Sequence, residues 1–85
     1  MIAKEQQLNA LIDLLLNIKA KEDMKDLLLG ILTPKELEEI PNRLSIIKML
    51  KKGFSQHKVA EDLGVGIATV TRGSKELQKG RFKTV

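Results

Sequence analysis

Apolar residues recur at steps of three and four along the chain, which is the spacing of one face of an α-helix. The first pattern predicts a helix over residues 4–19 and the second predicts a helix over residues 22–32. The apolar positions are Leu8, Leu11, Ile12, Leu15 and Ile18 in the first helix, and Met24, Leu27, Leu28 and Ile31 in the second. The chain is therefore expected to begin with two amphipathic helices.

A third helix is predicted to begin at Pro34. Thr33 stands at the cap, Pro34 at the first helical position and Glu36 three residues after the cap, which is the pattern of a capping box. Two lysines and a glycine at 51–53 predict its end. Its apolar stripe comprises Leu37, Ile40, Leu44, Ile47 and Leu50. Pro41 removes one backbone hydrogen bond inside this run, so we expect a kink or two helices in line.

Residues 55–80 have the pattern of a helix-turn-helix, in which two short helices pack nearly at right angles across a tight turn. Ser55 is a typical cap for a helix over residues 56–63, and a second helix is predicted over residues 67–78. Gly64 lies where the turn requires a positive φ, which glycine adopts without strain. The residues predicted to pack between the two helices are Val59, Ala60, Leu63, Val65 and Val70.

The residues that remain on the surface of this unit indicate DNA binding. An ordinary helical hairpin would carry polar residues at Ile67 and Ala68, whereas methyl groups at a helix start suit the major groove and the helix N-terminus attracts phosphate. Because residues 67–71 contain no arginine, asparagine or glutamine, we expect specificity to depend on methyl contacts, water and DNA shape. The predicted DNA contacts are Gln56, His57, Lys58, Gly66, Ile67, Ala68, Thr69 and Thr71.

Length and charge favour a small dimeric DNA-binding protein. The 85 residues are 42% apolar and contain no cysteine, and a domain of this size often completes its core by oligomerising. We therefore expect a single domain over residues 1–85, with a helical dimerisation core at 1–54 and the DNA-binding part at 55–80. The net charge of +4 is uneven: residues 1–54 carry nine basic and eight acidic side chains, net +1, whereas residues 55–85 carry six basic and three acidic, net +3. Without a leader or a long apolar run, we expect a cytoplasmic protein with no membrane partner.

Three segments resemble the bacterial tryptophan repressor family: Leu32-Thr33-Pro34, Arg43 with Ile46-Ile47, and above all residues 64–74, Gly-Val-Gly-Ile-Ala-Thr-Val-Thr-Arg-Gly-Ser. The resemblance implies an intertwined all-α homodimer that binds L-tryptophan as corepressor and then an operator in double-stranded DNA. In that family the base contacts are largely mediated by water, in keeping with a recognition helix poor in charge. The resemblance also implies a ligand pocket between the chains, with Leu32, Thr33 and Arg43 from one subunit and Arg72 and Gly73 from the other.

Each implied ligand residue also has a plainer interpretation. Arg43 and Arg72 are alternatively solvated or phosphate-contacting arginines, and Thr33 is sufficiently explained as a helix cap. Gly73 in mid-helix costs about 1 kcal/mol relative to alanine, which favours a reason such as the close approach of a ligand or phosphate. Glu76 stands where the family has a serine near the ligand's amino group. A carboxylate there would either hold an ammonium more strongly or repel the carboxylate of an amino acid and change the ligand.

Several functional classes remain at this point. The leading one is a repressor gated by a corepressor, and the main alternative is a helix-turn-helix regulator that needs no ligand or another ligand, or the DNA-binding part of a recombination machine. The arginines at 43 and 72 together with Gly73 distinguish them, since a simple DNA reader does not need these residues. A helical protein-interaction module would not predict the basic C-terminal third. An enzyme is disfavoured because no nucleophile and base pair, metal cluster or phosphate loop is present.

Overall fold

The computed structural model describes all residues from Met1 to Val85 and contains five helices and no strand. The helices are α1 Lys4–Asn17, α2 Lys21–Ile31, α3 Pro34–Lys51, α4 Gln56–Leu63 and α5 Ile67–Gln78. The all-α fold predicted from the apolar spacing is confirmed, and α4 and α5 have the predicted bounds. None of the five helices is long and apolar enough to cross a membrane.

The chain divides into two compact units, Met1–Pro34 and Lys35–Val85. The first unit contains α1 and α2, and neither helix has a buried residue. Leu8, Leu16 and Leu29 are between 55% and 76% exposed, so this unit presents much of its apolar surface to solvent. The predicted division after residue 54, into a dimerisation part and a DNA-binding part, concerns function and stays a prediction.

The second unit has a small core built from three helices. Ile46 of α3, Val59 of α4 and Val70 of α5 form one cluster, and each is at most 1% exposed. The partly buried residues around it are Met49, Leu50, Ala60, Leu63 and Val65. The residues predicted to pack between α4 and α5 therefore do so, and α3 supplies the third side of the core.

The helix α3 differs from expectation in two ways. It runs without a break through Pro41, so of the two expected outcomes the split into two helices is not seen, and the kink stays a prediction. Pro41 is exposed. Because proline has no N–H, the Leu37 carbonyl loses its helical hydrogen bond, and the 18-residue helix remains continuous despite this loss. The predicted stripe is also only partly right, because Ile40 and Leu44 are 40% and 43% exposed while Ile46, outside the stripe, is buried.

The turn between α4 and α5 is formed by the expected residues. The Ser55 side-chain oxygen accepts a hydrogen bond from the Lys58 backbone N–H at 3.2 Å and so caps α4. Gly64 ends α4 with φ 64°, the left-handed region where a Cβ is strained. The Val65 N–H then donates to the Ala60 carbonyl at 3.1 Å. These local bonds fix the direction in which α5 leaves the turn.

Candidate functional site

The first turn of α5 lies on the surface, as the helix-turn-helix interpretation requires. Ile67 is 43% exposed although it is a large apolar side chain. The exposed residues among the predicted DNA contacts are Gly66, Ile67, Ala68 and Thr69 here, and His57 and Lys58 in the first turn of α4. The other two, Gln56 and Thr71, are half-buried. Most of the predicted contact set is thus available to a ligand as large as DNA.

Gln56 and Thr71 meet each other across the two helices. The Thr71 hydroxyl oxygen lies 2.8 Å from Gln56 Oε1 and 2.9 Å from the Ile67 carbonyl oxygen. A hydroxyl has a single proton, so it donates to one of these acceptors at a time. The pair therefore joins the start of α4 to the second turn of α5, and the amide nitrogen of Gln56 is the part of that side chain left for DNA.

Lys58, a basic side chain on this surface, forms only an exposed ion pair. Lys58 Nζ lies 3.1 Å from Asp62 Oδ1, with the two side chains 52% and 37% exposed. An exposed pair of this kind contributes little to stability. Lys58 can therefore exchange its carboxylate partner for a phosphate at small cost, and the exposed Lys75 on α5 is a second candidate for a phosphate contact.

Arg43 of α3 and Arg72 of α5 line two shared cavities within one chain. One is a small cavity of about 40 Å³. The other is an open groove of about 740 Å³, which we call the arginine groove. Glu76 and Phe82 border both. The two arginines therefore border the same groove within one chain. The expected contribution of ligand contacts from two subunits stays a prediction. The two remaining expected ligand residues, Leu32 and Thr33, lie in the first unit.

Charged neighbours surround the carboxylate of Glu76. Lys79 Nζ lies 3.2 Å from Glu76 Oε1, and Arg81 Nε lies 3.8 Å from Glu76 Oε2. Arg43, which lines the same groove, has its Nη2 3.8 Å from Glu39 Oε2. The two cations beside Glu76 are largely exposed, so an incoming ammonium group could replace them. Nowhere in the chain do three or more acidic or histidine side chains gather in a way that could hold a metal ion.

Gly73 lets α5 approach α3 closely. A Cβ placed on Gly73 would lie 3.2 Å from Ile46 Cγ2 and 3.3 Å from Ile47 Cδ1, both on buried side chains. These distances are shorter than ordinary van der Waals contact. Close packing of α5 against α3 thus explains why a glycine stands in the middle of α5. The close approach of a ligand, suggested by the sequence, is a second possible reason.

Phe82 is a residue of the groove that sequence reasoning missed, because residues 81–85 show no periodicity. Its backbone has φ 65°, a left-handed conformation that residues other than glycine rarely adopt. The ammonium of Lys51 donates hydrogen bonds to the Phe82 carbonyl and, at 2.6 Å, to the Val85 carbonyl. The segment after α5 is thus folded back, with the phenylalanine at the arginine groove.

A third cavity lies at the first turn of α5 and shares Arg43 with the arginine groove. It has a volume of about 290 Å³ and is lined by Arg43, Gly66 and Thr69, together with Glu39, Asn42 and Val65. Thr69 also lines the small cavity that contains Arg43 and Arg72. Two predicted DNA contacts, Gly66 and Thr69, therefore adjoin the same arginine that was predicted to hold a ligand.

Comparisons with known proteins agree on one family. The family model described as Trp repressor protein matches residues 6–83. A Trp operon repressor homolog from Xylella fastidiosa (strain M23) is 37% identical over 83 residues, covering 96% of this chain and 90% of the relative. A Trp operon repressor homolog from Vibrio vulnificus (strain YJ016) is 41% identical over 69 residues, covering 80% of this chain and 68% of the relative. No solved structure matches the chain significantly. The family resemblance found in the sequence is confirmed.

Proposed function

The chain belongs to the Trp repressor family, a family of transcriptional repressors, and we propose that it binds an operator in double-stranded DNA when L-tryptophan is bound. The observation that carries this proposal is the position of Arg43, which borders both the groove that contains Arg72 and the cavity at the first turn of α5. A ligand held by the arginines would lie next to the residues that contact DNA. The family is regulatory, and we propose no enzymatic activity.

For DNA, we propose that α5 enters the major groove with its first turn. The methyl groups of Ile67, Ala68 and Thr69 would contact thymine methyls, and bridging waters would supply further contacts. Lys58 and Lys75 would contact phosphates, which position the protein without reading sequence. The excess of basic residues after residue 54 supports this division of roles.

For the ligand, we propose an aromatic amino acid in its zwitterionic form. An arginine on each side of a ring stacks by cation–π attraction, and one guanidinium can also pair with the carboxylate. The ammonium is held best by a carboxylate, because hydrogen bonds between charged groups are the strong ones. The two arginines have no acceptor atom to offer. Glu76 borders the same groove as Arg43 and Arg72, so we propose that its carboxylate accepts from the ammonium.

We propose that the working form is a homodimer. The large apolar side chains exposed on α1 and α2 are the surface that would be covered, and exposed apolar area of this extent marks an interface. The two copies of α5 would lie about 34 Å apart, one turn of DNA, so that the dimer reads a near-palindromic site. Light scattering that reported a monomer competent in DNA binding would contradict this. We place the repressor in the cytoplasm, where its operator would be reached.

A regulator that needs no tryptophan is the second candidate function, and one observation favours it. Glu76 is already paired with Lys79 and Arg81, and Phe82 already borders the groove. A groove satisfied by the chain's own side chains does not require a ligand. Under this alternative the arginines would be structural or phosphate-contacting residues.

Calorimetric titration with L-tryptophan separates the two candidates. The proposal predicts saturable heat at one site per chain, and a ligand-independent regulator predicts none up to millimolar concentration. The chain contains no tryptophan and no tyrosine. The fluorescence of the ligand can therefore be followed against almost no background, which gives an independent measurement of the same binding.

A further inference from the structure

We infer that Phe82 competes with the ligand's aromatic ring for the small cavity at Arg43, Arg72 and Gly73. The inference rests on the proposed ligand site. Phe82 borders both cavities that contain Arg43, Arg72 and Glu76, and it is 36% exposed. An aromatic ring from the chain itself thus lies where the guanidinium groups would receive the ring of an aromatic amino acid.

Volume favours competition only in the small cavity beside Gly73, since the open groove of about 740 Å³ has room for a ligand next to Phe82. The cavity that Phe82 shares with Ile46, Ile47 and Gly73 holds about 40 Å³, whereas sites for small organic ligands typically measure from about 300 Å³ upwards. With the phenylalanine in place, this space accepts roughly one water molecule. A ring that is to reach the surface of Gly73 must therefore displace Phe82.

The segment that carries Phe82 is held by contacts that can be released. Lys51 donates to the Phe82 and Val85 carbonyls, and Arg81 lies near Glu76. All three contacts are exposed or half-exposed, and such bonds are readily exchanged for water. The left-handed backbone at Phe82 is an uncommon conformation that the surroundings must maintain. The docked segment is therefore reversibly placed at the small cavity.

The consequence is a lowered affinity for ligand. If only a fraction of molecules has this cavity open, the apparent dissociation constant rises by the inverse of that fraction. A segment docked about nine-tenths of the time weakens the ligand about tenfold. Because Phe82 competes with the ring and not with the ammonium, the effect is the same for L-tryptophan and for indole-3-propionate, which has no amino group.

The test compares Phe82→Ala with Phe54→Ala in the full chain. Phe54 is the other phenylalanine, is 44% exposed and borders none of the three cavities described above. Calorimetry should give an affinity about tenfold higher for both L-tryptophan and indole-3-propionate in Phe82→Ala, and an unchanged affinity in Phe54→Ala. Lys51→Met should give a smaller gain than Phe82→Ala, and Lys52→Met, which removes the same charge one residue away, should give none.

Every outcome of this comparison either supports or overturns the competition between Phe82 and the ligand. Equal or weaker binding by Phe82→Ala, with tryptophan still bound by the wild type, overturns the inference and leaves the proposed function in place. Binding by Phe82→Ala alone supports the inference, and absence of binding in every variant overturns both. If Phe82→Ala does not fold, fluorine NMR of 4-fluorophenylalanine-labelled protein replaces it, with Phe54→Leu used to assign the signals. The Phe82 resonance should then move as tryptophan saturates the wild type, and a stationary resonance would refute displacement.

Discussion

Replacing Gly73 by alanine tests the close packing of α5 on α3. The new methyl group would lie 3.2 Å from Ile46 Cγ2 and 3.3 Å from Ile47 Cδ1. Ile46 and Ile47 are each 1% exposed, so neither can swing into solvent. Extra atoms in such a core typically cost about 1–3 kcal/mol. The same substitution gains about 1 kcal/mol because alanine is a better helix former than glycine.

Gly30→Ala is the matched control for that substitution. Gly30 lies inside α2, and a Cβ there meets nothing within 4 Å. It therefore gains helix propensity without the packing cost. The difference between the two variants isolates the packing cost, so Gly73→Ala should be less stable than Gly30→Ala by about 1–3 kcal/mol. For a domain of this size that is a gap of about 4–8 °C in Tm for each kcal/mol.

Urea unfolding followed by circular dichroism measures the gap. All variants are compared at one protein concentration, because association makes apparent stability depend on concentration. An unchanged slope with a shifted midpoint would show that stability itself has changed. If Gly73→Ala proved as stable as Gly30→Ala, the close packing of α5 on α3 would be refuted, and the glycine would have to be explained by the ligand alone.

Three further predictions concern the surface and the groove. Lys75→Gln and Lys58→Gln should each weaken binding to all DNA sequences alike and reduce the salt slope by about 1, because the exposed pair of Lys58 with Asp62 is exchanged for a phosphate at small cost; a changed sequence preference would contradict both. Thr71→Val should lower the free energy of unfolding by about 0.5–1.5 kcal/mol in thermal unfolding, since it removes the hydroxyl beside Gln56. An unchanged free energy would show that this contact does not stabilise the fold. Glu76→Gln should weaken L-tryptophan by about 1–3 kcal/mol in calorimetry and leave indole-3-propionate unaffected; equal losses would rule out an ammonium contact.

The helix-turn-helix was predictable because its determinants are local. Ser55, Gly64 and the apolar residues between them each act within one or two helical turns, so the bounds of α4 and α5 followed from the sequence. The continuation of α3 through Pro41 was not predictable in this way. A proline removes one hydrogen bond, and whether the helix breaks there depends on the remaining contacts of the helix, which periodicity does not report.

The candidate site was predictable only where a motif carried it. The segment from Gly64 to Ser74 pointed to Arg72 and Gly73, and the family resemblance added Arg43. That Arg43 and Arg72 line one groove in one chain depends on how α5 packs on α3, and this in turn depends on Ile46 and Gly73. Phe82 reaches the groove through a left-handed backbone and bonds from Lys51, contacts between residues 31 positions apart. No pattern along the sequence signals such a contact.

The most direct test of a tryptophan-gated repressor is its affinity for DNA with and without L-tryptophan. Duplexes are first selected from a random pool in the presence of millimolar ligand, and binding of the selected duplex is then measured by fluorescence anisotropy at one fixed salt concentration. A tryptophan-gated dimeric repressor should select a near-palindromic consensus, and its affinity should rise by about 5-fold to 150-fold with L-tryptophan, the usual range for coupling between two sites. An affinity that is the same with and without the ligand, or a pool that yields no consensus, would contradict this proposal.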